Sequence, residues 1–228
     1  MLFKVCRSAG VVLALTAGPV LAADDTVEHI LAPAADSYNY AYNQPHGALN
    51  FFPLFTDEGA DLQSVGMIAY DLTGLGVDPA AIIAVRLEFT VASAQNNYGM
   101  GGPSGVVQVY DRSFGFDESD PNPPIAMTGD PLVELLRLVN DVSLLSLEGD
   151  ALTALVQEWV TDPQSNNGLA LALIPEAGNT ETFWMALRTK EWSEPSQHPR
   201  LIVTELIPAP STGLLVMAGA LSSLRRRR

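Results

Sequence analysis

Ala81-Ile82-Ile83-Ala84-Val85-Arg86-Leu87-Glu88-Phe89-Thr90-Val91-Ala92 is the stretch on which the fold turns. It is rich in β-branched residues. From Val85 onward apolar side chains alternate with Arg86, Glu88 and Thr90, the period-2 pattern of a strand with one buried face. Seven further stretches read as strands: residues 37–42, 48–55, 65–71, 105–112, 168–174, 182–188 and 200–206. Turn-forming clusters stand between them, among them Asn43-Gln44-Pro45-His46-Gly47, Thr73-Gly74-Leu75-Gly76, residues 98–103, Asp120-Pro121-Asn122-Pro123-Pro124 and Asn166-Asn167-Gly168. Short, evenly spaced strands that do not alternate with helices predict an all-β chain, a jelly-roll β-sandwich rather than a parallel α/β sheet.

Two places depart from the β pattern. Asp130-Pro131, followed by Leu132, Leu135, Leu136 and Val139, offers an N-cap, a proline at the first helical position and an i, i+3, i+4, i+7 stripe. Asp150 opens a second candidate, with Leu152, Leu155, Val156 and Trp159 on one face and Asp162-Pro163 as its stop. The expectation is one or two short accessory helices, the second capping an open end of the sandwich with Trp159 beneath it. Trp184 falls inside a strand pattern and is expected in the core, Trp192 on a loop.

Several features, taken in succession, carry a resemblance. They are Ala35-Asp36 with Pro45 and Gly47, Ile68-Ala69-Tyr70-Asp71-Leu72, residues 82–89, residues 152–159, Asn167-Gly168-Leu169 and His198-Pro199-Arg200-Leu201-Ile202-Val203. In this order they resemble the DNRLRE-type domain, which includes modules classed as carbohydrate-binding. The resemblance spans most of residues 27–206 and implies a jelly-roll fold. The family's Leu-Arg-Phe-Asp strand reads Ile68-Ala69-Tyr70-Asp71 here, and its Trp-x-Glu segment reads Phe116-Asp117-Glu118, so a binding role through the strand arginine is absent.

The two ends read as addresses. Lys4 and Arg7 precede an apolar run over residues 9–20, and Val20-Leu21-Ala22-Ala23 offers small residues for a signal peptidase, which makes residues 1–23 a Sec signal peptide. Cys6 precedes the apolar run, too early for a lipoprotein acylation site. At the other end, Pro208-Ala209-Pro210-Ser211-Thr212 leads into charge-free residues 213–224 and then Arg225 to Arg228. Residues 206–224 carry no charge and would span roughly 28 Å as a helix, just enough for transient insertion in a bilayer, with the arginines cytoplasmic. This order resembles the PEP-CTERM sorting signal of Gram-negative bacteria, with Pro208, Pro210, Ser211 and Thr212 matching and Ala209 in place of the usual Glu. The resemblance implies an exosortase-like processing enzyme as partner and delivery to the cell surface or extracellular matrix. The domain boundaries expected are therefore 1–23, 24–206 and 207–228.

Six of the 12 basic residues lie in those ends, leaving six against 26 acidic residues, a net charge of −20. Such a surface excludes nucleic acid and disfavours anionic membranes. No cysteine remains, so a hydrophobic core, or a core with bound calcium, has to hold the fold. His29, His46 and His198 show no metal-ligand spacing, and no nucleophile elbow is present, so a non-catalytic protein is expected. Tyr38, Tyr40 and Tyr42 alternate on one strand face and read either as a platform for sugar rings or as an inward core stripe. Tyr98, beside Asn96 and Asn97 in a Gly-rich stretch, is a further carbohydrate-binding candidate or a hairpin tip. Asp117, Glu118 and Asp120, with Asn122, read as hard oxygen ligands for Ca2+ or as a solvated acidic loop. The functional expectation is a polysaccharide-binding surface protein, or else a structural matrix component with no small ligand.

Overall fold

A computed structural model describes residues 25–39, 49–56, 64–96, 104–120, 123–138, 141–175 and 183–207. The described chain runs through β1 (Asp25–Leu31), β2 (Pro33–Asn39), β3 (Phe51–Thr56), β4 (Val65–Tyr70), β5 (Ile82–Phe89) and β6 (Val91–Asn96). It continues through β7 (Ser104–Arg112), β8 (Met127–Leu138), β9 (Leu145–Glu148), helix α1 (Asp150–Thr161), β10 (Leu169–Pro175), β11 (Phe183–Arg188) and β12 (Arg200–Ile207). The strands form three antiparallel sheets, ordered β1-β12-β5-β9, β2-β4-β10-β7-β8 and β3-β11-β6. The fold is an all-β sandwich with one short helix, and Thr26–Ile207 group as one compact unit.

The stretch predicted as a single strand over residues 81–92 is two strands in two sheets. It divides at Thr90, where the chain leaves β5 for β6, and the Thr90 carbonyl accepts from the Arg188 amide at 3.0 Å. The four-stranded and three-stranded sheets are thereby joined end to end. The five-stranded sheet approaches them closely at two glycines: a Cβ on Gly66 would lie 2.6 Å from the Phe52 ring, and one on Gly105 would lie 2.5 Å from the Phe183 ring. All three sheets feed one core that includes Phe52, Tyr70, Leu87, Phe89, Phe183 and Leu201, with the Phe52 and Phe89 rings edge to face at 5.8 Å.

The helix at residues 150–161 forms as its spacing predicts, with Leu152, Val156 and Trp159 buried on one face. Its position has a backbone cause. Strand β9 pairs only with Arg86–Phe89 of β5, which leaves the first half of that edge without a strand. The helix completes it with side chains: Thr153 Oγ1 accepts from the Val85 amide at 3.1 Å, and Gln157 Nε2 donates to the Ile82 carbonyl at 2.8 Å.

The helix expected from Asp130-Pro131 is instead the second half of β8. Its register against β7 pairs Val109 with Val133 but Asp111 with Thr128, so β8 bulges over residues 129–132. Gly129 takes φ +67° there, and Pro131 sits in the bulge, where the ladder asks it for no donor. In Leu132-Val133-Glu134-Leu135-Leu136-Arg137-Leu138 the apolar residues suit either period. Pairing with β7 decides the matter, because it lays Val133 and Leu135 on the core while Leu136 and Leu138 face outward. Strands β1 and β9 were not anticipated either.

Candidate functional site

The anticipated tyrosines divide. Tyr38 faces the core and is only 6% exposed, because on this strand the face it shares with Asp36 points inward, so its ring offers nothing to a sugar. Tyr40, Tyr42 and Tyr98 lie outside the described residues, as do Pro208, Pro210, Ser211 and Thr212 of the tail. The nearest described neighbours of these three tyrosines are Asn39, Asn96 and Ser104. They lie toward one end of the sandwich, since Asn39 pairs with Val65, Asn96 with Phe183, and Phe183 abuts Gly105 beside Ser104.

The acidic residues proposed for calcium belong to a strap between β7 and β8, described over residues 113–120 and 123–126, whose hydrogen bonds reach from the end of β7 to β2. Arg112, buried at the end of β7, donates from Nε to the Phe114 carbonyl and from Nη2 to the Pro124 carbonyl, each at 3.3 Å, and lies 5.0 Å over the Phe116 ring. On β2, Asn39 Nδ2 donates to the Pro123 carbonyl at 2.6 Å and the Asp36 amide to Glu118 Oε1 at 2.6 Å. Met67, Ala170 and Ala172 alternate away from the core cluster and are nevertheless fully buried.

Within the strap the carboxylates turn to different partners. Asp117 Oδ1 accepts from the Ser119 hydroxyl (2.7 Å) and amide (2.8 Å), which holds its pKa below the ordinary value, and the Asp117 carbonyl accepts from the Asp120 amide at 3.0 Å. Glu118 faces β2 and Lys190. Among the described residues no group of three or more His, Cys, Asp or Glu side chains could hold a metal ion. In its described part the acidic loop ties down chain, Asp117 within the loop itself and Glu118 against β2 and Lys190.

The feature best suited to contact a ligand lies on the outer face of β7 and β8. Val106, Gln108 and Tyr110 alternate along β7, and the first two face Leu136 and Glu134 on β8. The Tyr110 hydroxyl donates to Gln108 Oε1 at 2.6 Å, and Gln108 Nε2 donates to Glu134 Oε1. Burial first, then the charges of Glu134 and Asp130, push the Tyr110 pKa up, so its phenol stays a neutral donor. The β8 bulge lies directly opposite Tyr110, where Asp111 resumes pairing at Thr128. From Tyr110 to Ser104 this strip runs roughly 20 Å. It leads toward the end of the sandwich at which Asn39 closes β2 and Asn96 closes β6.

Sequence reasoning missed this strip for one reason. Residues 106, 108 and 110 lie in a predicted strand, but Glu134 and Leu136 lay in the stretch read as helix, so the pairing that makes one surface of them was invisible. An open hollow of about 450 Å³ lies where β1 meets the turn after β4, lined by His29, Ile30, Leu31, Asp71, Thr73, Gly74 and Leu75. Beside it His29 Nε2 contacts Glu205 Oε2 at 2.8 Å, tying β1 to β12. Among the described residues no helix is long and apolar enough to cross a membrane. Comparison with protein-family models gives no match, and neither does comparison with the curated proteins.

Proposed function

We propose that the chain is an exported, non-catalytic β-sandwich protein of the cell surface or extracellular matrix that binds polysaccharide along the β7–β8 face. The observation that carries this reading is the strip of Tyr110, Gln108 and Glu134. An aromatic face, a carboxamide and a carboxylate in one hydrogen-bonded row match what a sugar ring presents, an apolar face edged by hydroxyls that both donate and accept. The length of the strip suits several sugar units of a polymer. The resemblance to DNRLRE-type domains, and the two ends that read as a Sec signal and a PEP-CTERM-like tail cut by an exosortase-like enzyme, support the same reading.

A specific observation favours a second reading, a structural matrix component that contacts other proteins. Leu136, Leu138, Val142 and Leu144, each about half exposed or more, cluster at the end of β8 and the turn that follows. Arg137 holds that turn in shape, donating to the Ser143 carbonyl at 2.8 Å.

Affinity electrophoresis of the protein through gels containing neutral and acidic polysaccharides separates the two. Retardation by at least one polysaccharide, weakened roughly tenfold by Tyr110→Ala and by Gln108→Ala but not by Leu138→Ser, is the expected result; tenfold corresponds to about 1.4 kcal/mol, the scale of one stacked aromatic. Absence of retardation, together with self-association that Leu138→Ser abolishes, overturns the polysaccharide reading in favour of the structural one.

A further inference from the structure

The strip on β7 and β8 carries exposed charge of one sign only. Glu134 stands opposite Gln108, and Asp130 lies in the bulge opposite Tyr110; both side chains are exposed, and both lie near enough to Tyr110 for their charges to act on its phenol. Glu134 Oε1 accepts from Gln108 Nε2, whereas its other oxygen and the whole Asp130 carboxylate have no partner among the described residues. The two cations on these strands are withdrawn from solvent. Arg112 is 1% exposed, with Nε and Nη2 taken up by the Phe114 and Pro124 carbonyls. Arg137 is 5% exposed and is engaged by Asp141 and Ser143. Elsewhere Arg86 is paired with Glu28 and Glu88, and Lys190 with Glu118 and Glu191.

We infer that the polymer recognised along β7 and β8 is a cationic polysaccharide, a hexosamine chain bearing free amino groups. The inference rests on the polysaccharide reading above and adds to it the charge of the ligand. A sugar ammonium supplies the unpartnered oxygens of Glu134 and Asp130 with charge-assisted N–H donors, which bind roughly twice as strongly as neutral ones. The same ring offers its apolar face to Tyr110 and its hydroxyls to Gln108.

Other chains fit less well. N-acetylation removes the sugar's charge, so the two carboxylates would lose water without gaining a cation. A uronate or sulfated chain sets like charges against Glu134 and Asp130, with a domain of net charge −20 behind them. A polylysine segment brings ammonium groups without a hydroxyl-edged ring, so Tyr110 and Gln108 would add little to its binding.

Calorimetric titration of the full chain at about pH 5.5 with a glucosamine hexamer, its fully N-acetylated counterpart and a hexuronate of the same length tests the inference. The expected result is binding of the amino hexamer at least tenfold tighter than of the acetylated one. Glu134→Gln keeps an acceptor for Gln108 Nε2 while removing the charge, and is expected to cut that preference to about threefold. Raising salt from about 0.05 to 0.5 M is expected to shrink it as well. Tyr110→Ala is expected to weaken both hexamers, and Glu28→Gln, on β1 in another sheet, to leave the preference intact. Equal affinity for the two hexamers, or equal affinity for the hexuronate, would overturn the inference, while binding that Tyr110→Ala still weakens would leave the polysaccharide reading standing. A preference that survives Glu134→Gln, or falls as far in Glu28→Gln, would trace it to overall charge and overturn the assignment to this strip. Polylysine bound as tightly as the amino hexamer and indifferent to Tyr110→Ala would assign the face to a basic protein instead. Binding of none of the three saccharides would overturn the inference, and the polysaccharide gels decide the broader reading separately.

Discussion

Replacing Gly105 by alanine tests how the two layers meet. Gly105 lies on β7 beneath two fully buried side chains, and an added Cβ would stand 2.5 Å from Phe183 Cδ1 and 2.8 Å from Leu173 Cδ1. Ordinary carbon contacts are about 3.5–4.0 Å, so both side chains have to retreat by roughly 1 Å in a core packed as densely as an organic crystal. Overpacking of this kind costs about 1–3 kcal/mol. The backbone at Gly105 is not in the left-handed region, so alanine brings no dihedral strain. It also stiffens the unfolded chain, which returns about 0.4–1 kcal/mol. The net expectation is a loss of about 1–2 kcal/mol, or a urea midpoint lower by roughly 0.5–1 M at a slope of about 2 kcal/mol per M. Gly115→Ala is the control, since a Cβ there meets nothing within 4 Å and its φ is not left-handed, and it is expected to be neutral or slightly stabilising. If Gly105→Ala and Gly115→Ala unfold at the same urea concentration, Phe183 is not seated over Gly105 and the described approach of the layers is wrong.

Two further outcomes are expected. Stability should peak between about pH 4 and pH 6. Asp36, with its pKa raised to about 6, contributes stability that is fully present below 3.8 and is lost as pH rises through 6, at most about 3 kcal/mol. Asp71, Asp117 and Asp141 act in the opposite sense. Their pKa values are lowered by the hydroxyls and amides of Thr73, Ser119 and Ser143, so their contribution is present above 3.8 and lost as pH falls. Melting temperatures that climb steadily from pH 4 to pH 8 would refute this balance. Thr153→Val, nearly isosteric, removes the hydroxyl that accepts from the Val85 amide, and is expected to destabilise by about 1–2 kcal/mol and to speed Val85 amide exchange; unchanged exchange there would mean that α1 does not complete the β5 edge.

Local chemistry made some of this architecture readable in advance. Val65 to Tyr70, Ser104 to Arg112, Leu169 to Pro175 and Arg200 to Ile207 are strands whose apolar content and bounding turns announce them, and each is found within a residue or two of its expected limits. Helix α1 was equally legible, since Leu152, Val156 and Trp159 share a face at helical spacing and Asp162-Pro163 closes it. Elsewhere two periods fitted one stretch. Residues 132–138 could present apolar side chains as helix or as strand, and only the β7 partner chose between them. Asp130-Pro131, an opening for a helix by its sequence, became a bulge because the adjacent strand takes up pairing on either side of it.

What the residues determined unaided was the class of fold, because the period of burial is a property of neighbours in the chain: alternation says strand, and three-or-four spacing closed by proline says helix. What only the tertiary structure decided was which surfaces those strands compose. The break at Thr90, the union of Gln108 and Tyr110 with Glu134, and the meeting of Asp36 with Glu118 and Lys190, partners 82 and 154 residues away, depend on pairing and burial between segments remote in sequence. Likewise Glu118 of the acidic loop accepts from the Asp36 amide of β2, and Arg112 donates to the Phe114 and Pro124 carbonyls, contacts that composition alone does not announce.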